Sequence, residues 1–358
     1  MVLLFLALPP WGFALYAGGK SQRGPAGSAL PQQQEQLWEL EPPALSYHAA
    51  DAGTPPPMLE NPDASSQDPP PPGENPFDSA LAGGAPPPQR PGRGELVMKA
   101  LAQGYPERVG PAEFRDGDWA VPLEGTWFYY AEGRLLPREL LPRAAEYDPQ
   151  PFYNYPAELP PWEPPAAGEV ERIRGQVRRR LQNPPKRSQH FYDTLWRAAS
   201  RAESWDRVKS LRFLGRPVYV HYSILEELAL VEERILAESR TDPQVKRWID
   251  SLNVLDGWNW RNIADTQSRS FHAYGAALDL LPRSRGNLET YWSWTSRNRS
   301  DWWAVPYSQR LHPPDPVIRA FEAYGFVWGG KWMYYDTMHF EYRPEIFILN
   351  KLPLSSRR

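Results

Sequence analysis

Four residues near the C-terminal end of this 358-residue chain have types and spacing that could hold a metal ion. His272 and Asp279 stand seven apart in "SRSFHAYGAALDL", and Asp336 and His339 stand three apart in "YYDTMHFEY". On one continuous helix His272 and Asp279 would lie two turns apart, about 10 Å at 1.5 Å per residue. One zinc ion needs its nitrogen and oxygen ligands within about 2.0–2.2 Å. A straight helix therefore forbids a shared ion. Gly275 marks a bend, after which Ala276–Leu281 reads as a strand with Ala277, Asp279 and Leu281 on one face. Asp336 and His339 would face opposite ways on a regular strand, so a bend at Thr337 or Met338 is required. Glu341 then shares the face of His339 and supports it from behind.

This spacing proposes His272, Asp279 and His339 as three ligands of one ion, with a fourth position open to water, the catalytic arrangement for zinc. Asp336 is placed as general base to a metal-activated water, and Arg261 as the group that stabilises the oxyanion or holds a substrate carboxylate. A His/Asp set also accepts other divalent ions. Taken singly, each residue has a plainer reading. A lone His among apolar residues is more often a hydrogen-bonded core group, and a lone Asp before two leucines caps a turn. The other histidines, His48, His190, His221 and His312, have no such company and read as structural or surface groups.

The elements that must position these residues begin after residue 165. "GEVERIRGQVRRRLQ" and "SQHFYDTLWRAASRAESWDRV" read as amphipathic helices, and "RPVYVHY" as a strand. In "SILEELALVEERILAES", Ser223 and Glu226 form a capping box. Ile224, Leu228, Val231 and Ile235 then recur as a core-facing stripe. "TDPQVKRWIDSL" starts a further helix, with Thr241 or Asp242 as cap and Pro243 in the first turn. A helix from Pro316 ends at Tyr324–Gly325, "FVW" is a strand, Gly329–Gly330 a tight turn and "MHFEY" the next strand.

Upstream, residues 94–165 read as a small β-rich, aromatic region. Thr126–Tyr130 is a strand between turns at Glu124–Gly125 and Glu132–Gly133. "PFYNYPAELPPWEPP" reads as a strap whose aromatics pack on the surface or stack on glycan. Residues 20–93 are rich in Pro, Gly, Ser, Gln and Ala without apolar periodicity, and read as a disordered linker. Residues 1–19 resemble a signal segment: an apolar run too short to span a bilayer, then small residues near Ala17–Gly19.

Composition narrows the function. A net charge of −3 gives no basic excess for nucleic acid or an anionic membrane surface. The absence of cysteine excludes a disulfide framework, a thiolate zinc site and a thiol nucleophile.

"S-F-H-A-Y-G-A-A-L-D" resembles the S-x-H-x-x-G-x-A-x-D signature of the M15 family of zinc D-Ala-D-Ala carboxypeptidases and dipeptidases, which also includes L-alanyl-D-glutamate endopeptidases. "GFVWGGKWMYYDTMHFEY" is similar to that family's second signature, G-F-x-W-G-G-x-W followed by D-x-x-H-F-E, and both stand in the family's order across Val254–Pro344. "WNWRNIA" resembles the segment with the family's arginine, and "AVP" at Ala304–Pro306 fits the carboxypeptidase-like branch. The resemblance implies one Zn2+ on His272, Asp279 and His339, and Asp336 as catalytic carboxylate. It places the family's arginine on Arg261, with Arg269 as competitor. Ser270 falls on the substrate-contacting serine, and Gln267 is grouped with it as substrate-binding. The stretch Arg283–Trp303 is less family-like and is a candidate groove wall.

The fold so implied is α+β: a small antiparallel sheet with helices on one face, hedgehog/DD-peptidase-like, over residues 166–358. The expected function is D-Ala-D-Ala carboxypeptidase action on the peptidoglycan stem. L-Ala-D-Glu or cross-link endopeptidase action, and a zinc-stabilised cell-wall-binding module without turnover, are the alternatives. The expected setting is export to the periplasm or cell envelope, as a monomer whose partner is the stem peptide, without nucleic acid or tight membrane insertion.

Overall fold

The computed structural model describes residues 92–264 and 266–355. The signal-like segment, nearly all of the Pro-rich tract and His48 lie outside the described residues.

The described chain opens with helix α1 (Arg93–Gly104), whose buried side is Val97, Met98, Ala100 and Leu101. A four-stranded antiparallel sheet follows: β1 (Glu113–Arg115), β2 (Asp118–Leu123), β3 (Thr126–Tyr129) and β4 (Leu136–Pro137), in that order. Thr126–Tyr129 is thus the strand expected from its β-branched and aromatic residues. Gly125, at φ 79°, makes the turn into it. Residues 151–165 have no regular secondary structure. Their aromatics pack: Tyr155 is buried against Val327, Ile346 and Phe347.

Helix α2 (Ala167–Gln182) buries only Ile173; Arg172, Arg174, Arg178 and Arg179 are exposed, whereas Arg180 stacks over Tyr334. The helix expected over residues 188–208 is instead two short ones, α3 (His190–Leu195) and α4 (Arg201–Arg207). Arg197 takes a positive φ of 48°, and the Ser200 side chain accepts the Glu203 N–H to cap α4. The chain then enters strand β5 (Val208–Phe213), unmarked in the sequence, which pairs with β6 (Arg216–His221). β5 is buried only at its ends, so it carries no clear period of two.

Helix α5 (Leu225–Glu238) begins one residue later than the Ser223 capping box requires. A 3-10 turn over Tyr222–Ile224 precedes it, Ile224 occupies the cap position, and Ser223 bonds the His221 ring instead. Its stripe Leu228, Val231 and Ile235, together with Ile224, is fully buried. Asp242 caps α6 (Pro243–Ser251) with Pro243 in its first turn, as expected. β7 (Leu252–Asp256), β8 (Ala277–Pro282), a short α7 (Trp292–Ser296), α8 (Asp315–Ala323), β9 (Phe326–Trp328), β10 (His339–Tyr342) and α9 (Pro344–Leu349) complete the chain.

The second four-stranded sheet runs β7-β8-β10-β9, all antiparallel. The fold is therefore α+β, with small antiparallel sheets and helices. The 94–165 and 166–358 stretches share one hydrophobic core, joining Val97 and Leu101 of α1 and Phe128 of β3 to Leu278, Phe326 and Phe340. No helix among the described residues is long and apolar enough to cross a membrane.

Candidate metal centre

The register of the second sheet sets His339 of β10 directly opposite Asp279 of β8. His272 comes from a 3-10 turn, Phe271–Tyr274, that leads into β8. Gly275 closes this turn at φ 70°, and its N–H bonds the carbonyl of His272. A Cβ on Gly275 would stand 2.7 Å from the backbone nitrogen of His221, which donates to the Gly275 carbonyl at 2.8 Å. Both its left-handed φ and its close contact with β6 therefore require glycine. The turn swings the His272 ring over β8, as a straight helix could not.

His272 Nε2, His339 Nδ1 and Asp279 Oδ1 form a nearly equilateral triangle with sides of 3.1, 3.2 and 3.0 Å. A tetrahedral ion with bonds of about 2.0–2.1 Å sets its ligands about 3.3 Å apart, so the triangle fits within a few tenths of an ångström. The outer partners of the rings fix which nitrogens face inward. His272 Nδ1–H donates to the Gly257 carbonyl at 2.5 Å, and His339 Nε2–H donates to Glu341 at 3.2 Å. Each ring thus turns its other nitrogen towards the Asp279 carboxylate; without metal, His339 Nδ1 carries a proton and donates to Asp279, and a cation would take that proton's place. Three side-chain atoms converging on one buried point make a candidate cation site, and these three are the group among the described residues that could hold a metal ion.

The charges around the triangle agree. Burial pushes His339 down, but hydrogen bonds to Asp279 and Glu341 prevail and raise it to about 10. Burial raises Asp279, yet the two imidazoles hold it well below the usual carboxylate range. The surroundings favour positive charge at this point, and there a metal ion competes with a proton.

Behind the ligands runs a buried polar chain. Glu341 is fixed by Arg343 at 3.3 Å, Arg343 also bonds Glu345, and the Tyr105 hydroxyl donates to Glu345 at 2.9 Å. The expectation that Glu341 backs His339 is met, and the backing reaches residue 105, just past α1.

Asp336 lies within charge range of Asp279 and His339. It precedes β10 by the expected bend: the His339 N–H bonds the Asp336 carbonyl, and Asp336 pairs with Tyr291 as an isolated bridge. Burial first, and the Asp279 charge second, raise the Asp336 carboxyl to about 7. Its Oδ1 is buried without a hydrogen-bond partner. A carboxyl near neutral pKa with a free oxygen is suited to proton transfer.

Arg261 is exposed, and its charge lowers both Asp336 and Asp256. Its competitor Arg269 is engaged elsewhere: it pairs with Asp193 and stacks 4.3 Å over Trp260. Ser270 is buried; its N–H donates to the Arg261 carbonyl and its hydroxyl accepts from the His272 N–H. Gln267 sits on an exposed loop tied to the 185–189 segment through backbone bonds, and nothing links it to the triangle. His190, His221 and His312 bond Ser188, the Trp196 carbonyl and the Pro313 carbonyl, which are structural roles.

Asp256 carries no local mark in the sequence. It stands opposite Asp279 on β7, its carboxyl is raised by burial, and Oδ2 has no partner. Only the β7–β8 register brings it beside His272 and Asp279.

Residues 264–342 match the family model described as D-alanyl-D-alanine carboxypeptidase, of the M15 peptidases, and residues 97–152 match a domain of unknown function (DUF8518). No curated protein and no solved structure matches the chain. The first match spans Ser270, the three metal-site residues and Asp336, and stops at Tyr342, the last residue of β10. Residues 264–342 thus resemble an M15-type peptidase domain over about a fifth of the chain.

Proposed function

We propose that this domain is a zinc peptidase of the peptidoglycan stem that removes the terminal D-alanine from D-Ala-D-Ala. The observation that carries the reading is the inward-facing triangle of His272 Nε2, Asp279 Oδ1 and His339 Nδ1. When bound there, zinc supplies Lewis acidity and brings the pKa of a water towards neutral. Asp336 takes the proton of the attacking water at Oδ1 and passes it to the leaving amine. Arg261, at the exposed rim, holds the substrate's terminal carboxylate or meets the negative charge that develops on the carbonyl oxygen. The Ser270 hydroxyl keeps its proton free for a substrate oxygen, because its bond to His272 is as acceptor. Gln267 is left as a loop contact to substrate. We place the protein in the periplasm or cell envelope, as an exported monomer acting on stem peptide.

Metal analysis of the purified full chain, with mass spectrometry of digested muropeptides, tests this. The expected result is about one zinc per chain and loss of a single D-alanine. Asp336→Ala keeps the ion but loses turnover, and His272→Ala loses both. Normal turnover in Asp336→Ala removes the base assignment. Cleavage at an internal bond makes the protein an endopeptidase, and zinc without cleavage makes it a binding module.

A further inference from the structure

Arg310 has no part in the chemistry above, yet its setting is unusual for an arginine. It is only 7% exposed. Its Nε and Nη2 donate to the Val305 carbonyl at 3.0 and 2.7 Å. Its guanidinium lies 4.1 Å from the centre of the Tyr335 ring and 5.1 Å from that of Tyr307. No carboxylate pairs with it among the described residues. Arginine does not give up its proton, so a buried charge stands there without a counter-charge. The two ring faces offset part of that cost.

One edge of the guanidinium is still free. The Val305 carbonyl takes the Nε side, which leaves Nη1 and the second Nη2 hydrogen. Nη1 has no partner and is not sealed from solvent. This edge has the spacing that meets both oxygens of a carboxylate. Arg310 lines an open cleft of about 450 Å³ with Leu288, Tyr307, Ser308, Leu311 and His312. The lining holds no acidic side chain.

The cleft adjoins the metal centre. Tyr335, the ring under Arg310, immediately precedes Asp336. Glu289 bridges to Arg310 and Tyr291 bridges to Asp336. Those two positions are roughly 7 Å apart along an extended chain, and their partner segments lie on opposite sides of it: Glu289 bonds the 309–311 segment, whereas Thr290 and Trp292 bond the 335–337 segment. A bound peptide would therefore need more than two residues to reach from one to the other.

We propose that this cleft is a carboxylate-binding subsite, with Arg310 taking both oxygens of an anionic group carried several residues from the bond that is cut. That the anion belongs to the substrate rests on the peptidase reading; that the cleft binds a carboxylate does not.

Full-length protein carrying 15N-arginine is titrated with sodium acetate, and separately with acetamide, at constant ionic strength. The Arg310 Nε–H resonance, identified by its loss in Arg310→Lys, is expected to shift saturably with acetate and not with acetamide. Absence of an acetate-specific shift overturns the subsite. A second measurement needs no variant at 310. Two stem-type peptides, differing only in an internal carboxylate or carboxamide, are compared as substrates of the zinc-loaded wild type. The acid is expected to have a KM about tenfold lower at similar kcat, as a charge-assisted pair implies. Equal KM values overturn the substrate role. An acetate shift without turnover of either peptide leaves the anion site standing and removes the peptidase reading. Turnover of both with equal KM and no shift does the reverse.

Discussion

Asp336→Asn should make the metal-free protein more stable at pH 8 while abolishing its activity. The wild-type carboxyl is raised from 3.8 to about 7 by burial and by the Asp279 charge. A carboxyl raised on folding favours the native state only where it is protonated in both states. The penalty therefore grows as pH rises from about 4 and is complete above about 7. Three units at 1.36 kcal/mol each set an upper bound of about 4 kcal/mol. Asparagine has the same shape, carries no charge and still accepts the Met338 N–H through its carbonyl oxygen. At about 2–4 °C per kcal/mol for a domain of this size, the gain in Tm is several degrees. Thermal melts in chelator at pH 8 and pH 4 read it directly. The variant melts higher at pH 8, and the two proteins converge at pH 4. Added zinc narrows the difference at pH 8, because a cation beside Asp336 offsets the repulsion. Activity falls by about 10²–10⁴-fold with loss of the base. An Asn variant that melts at or below wild type at pH 8 in chelator refutes the reasoning, because the carboxylate is then not strained.

Three further outcomes are expected. His221 is buried and lowered to about 4, chiefly by burial; stability present above pH 6.5 should fall by about 3 kcal/mol as pH drops towards 4, and acid denaturation curves of His221→Gln should lack that loss. Gly275→Ala meets both a positive φ and the His221 backbone. It should cost at least about 2 kcal/mol in denaturant melts and weaken metal binding, since the same turn carries His272. Glu341→Gln removes the charge behind His339; zinc affinity by competitive chelation should fall about 10–100-fold while the far-ultraviolet spectrum is kept.

Much of the site was legible because it is locally coded. The positions of His272, Gly275 and Asp279 already exclude a straight helix, and the structure supplies the bend at Gly275. The Asp336–His339 turn and the role of Glu341 follow from a period of two along one short strand. Elements without local marks were missed. β5 is exposed along most of its length, so it shows no alternation. The break at Arg197–Ser200 interrupts a pattern that reads as one helix. The Ser223 capping box matches a motif, but the His221 ring competes for that hydroxyl.

Residue types and spacing alone pointed to the candidate ligands and the bend each pair needs, and excluded thiol chemistry. All of these are set by residue type and by spacing of a few positions. Tertiary contacts set the ring orientations of His272 and His339, the raised carboxyl of Asp336, the presence of Asp256 and the unpaired charge of Arg310. Each depends on partners distant in the chain: Gly257 behind His272, Asp279 near Asp336, and Tyr335 beneath Arg310. Burial and strand register bring those groups together. A lone pair's direction and a charge's cost are properties of surroundings that no short stretch of chain contains.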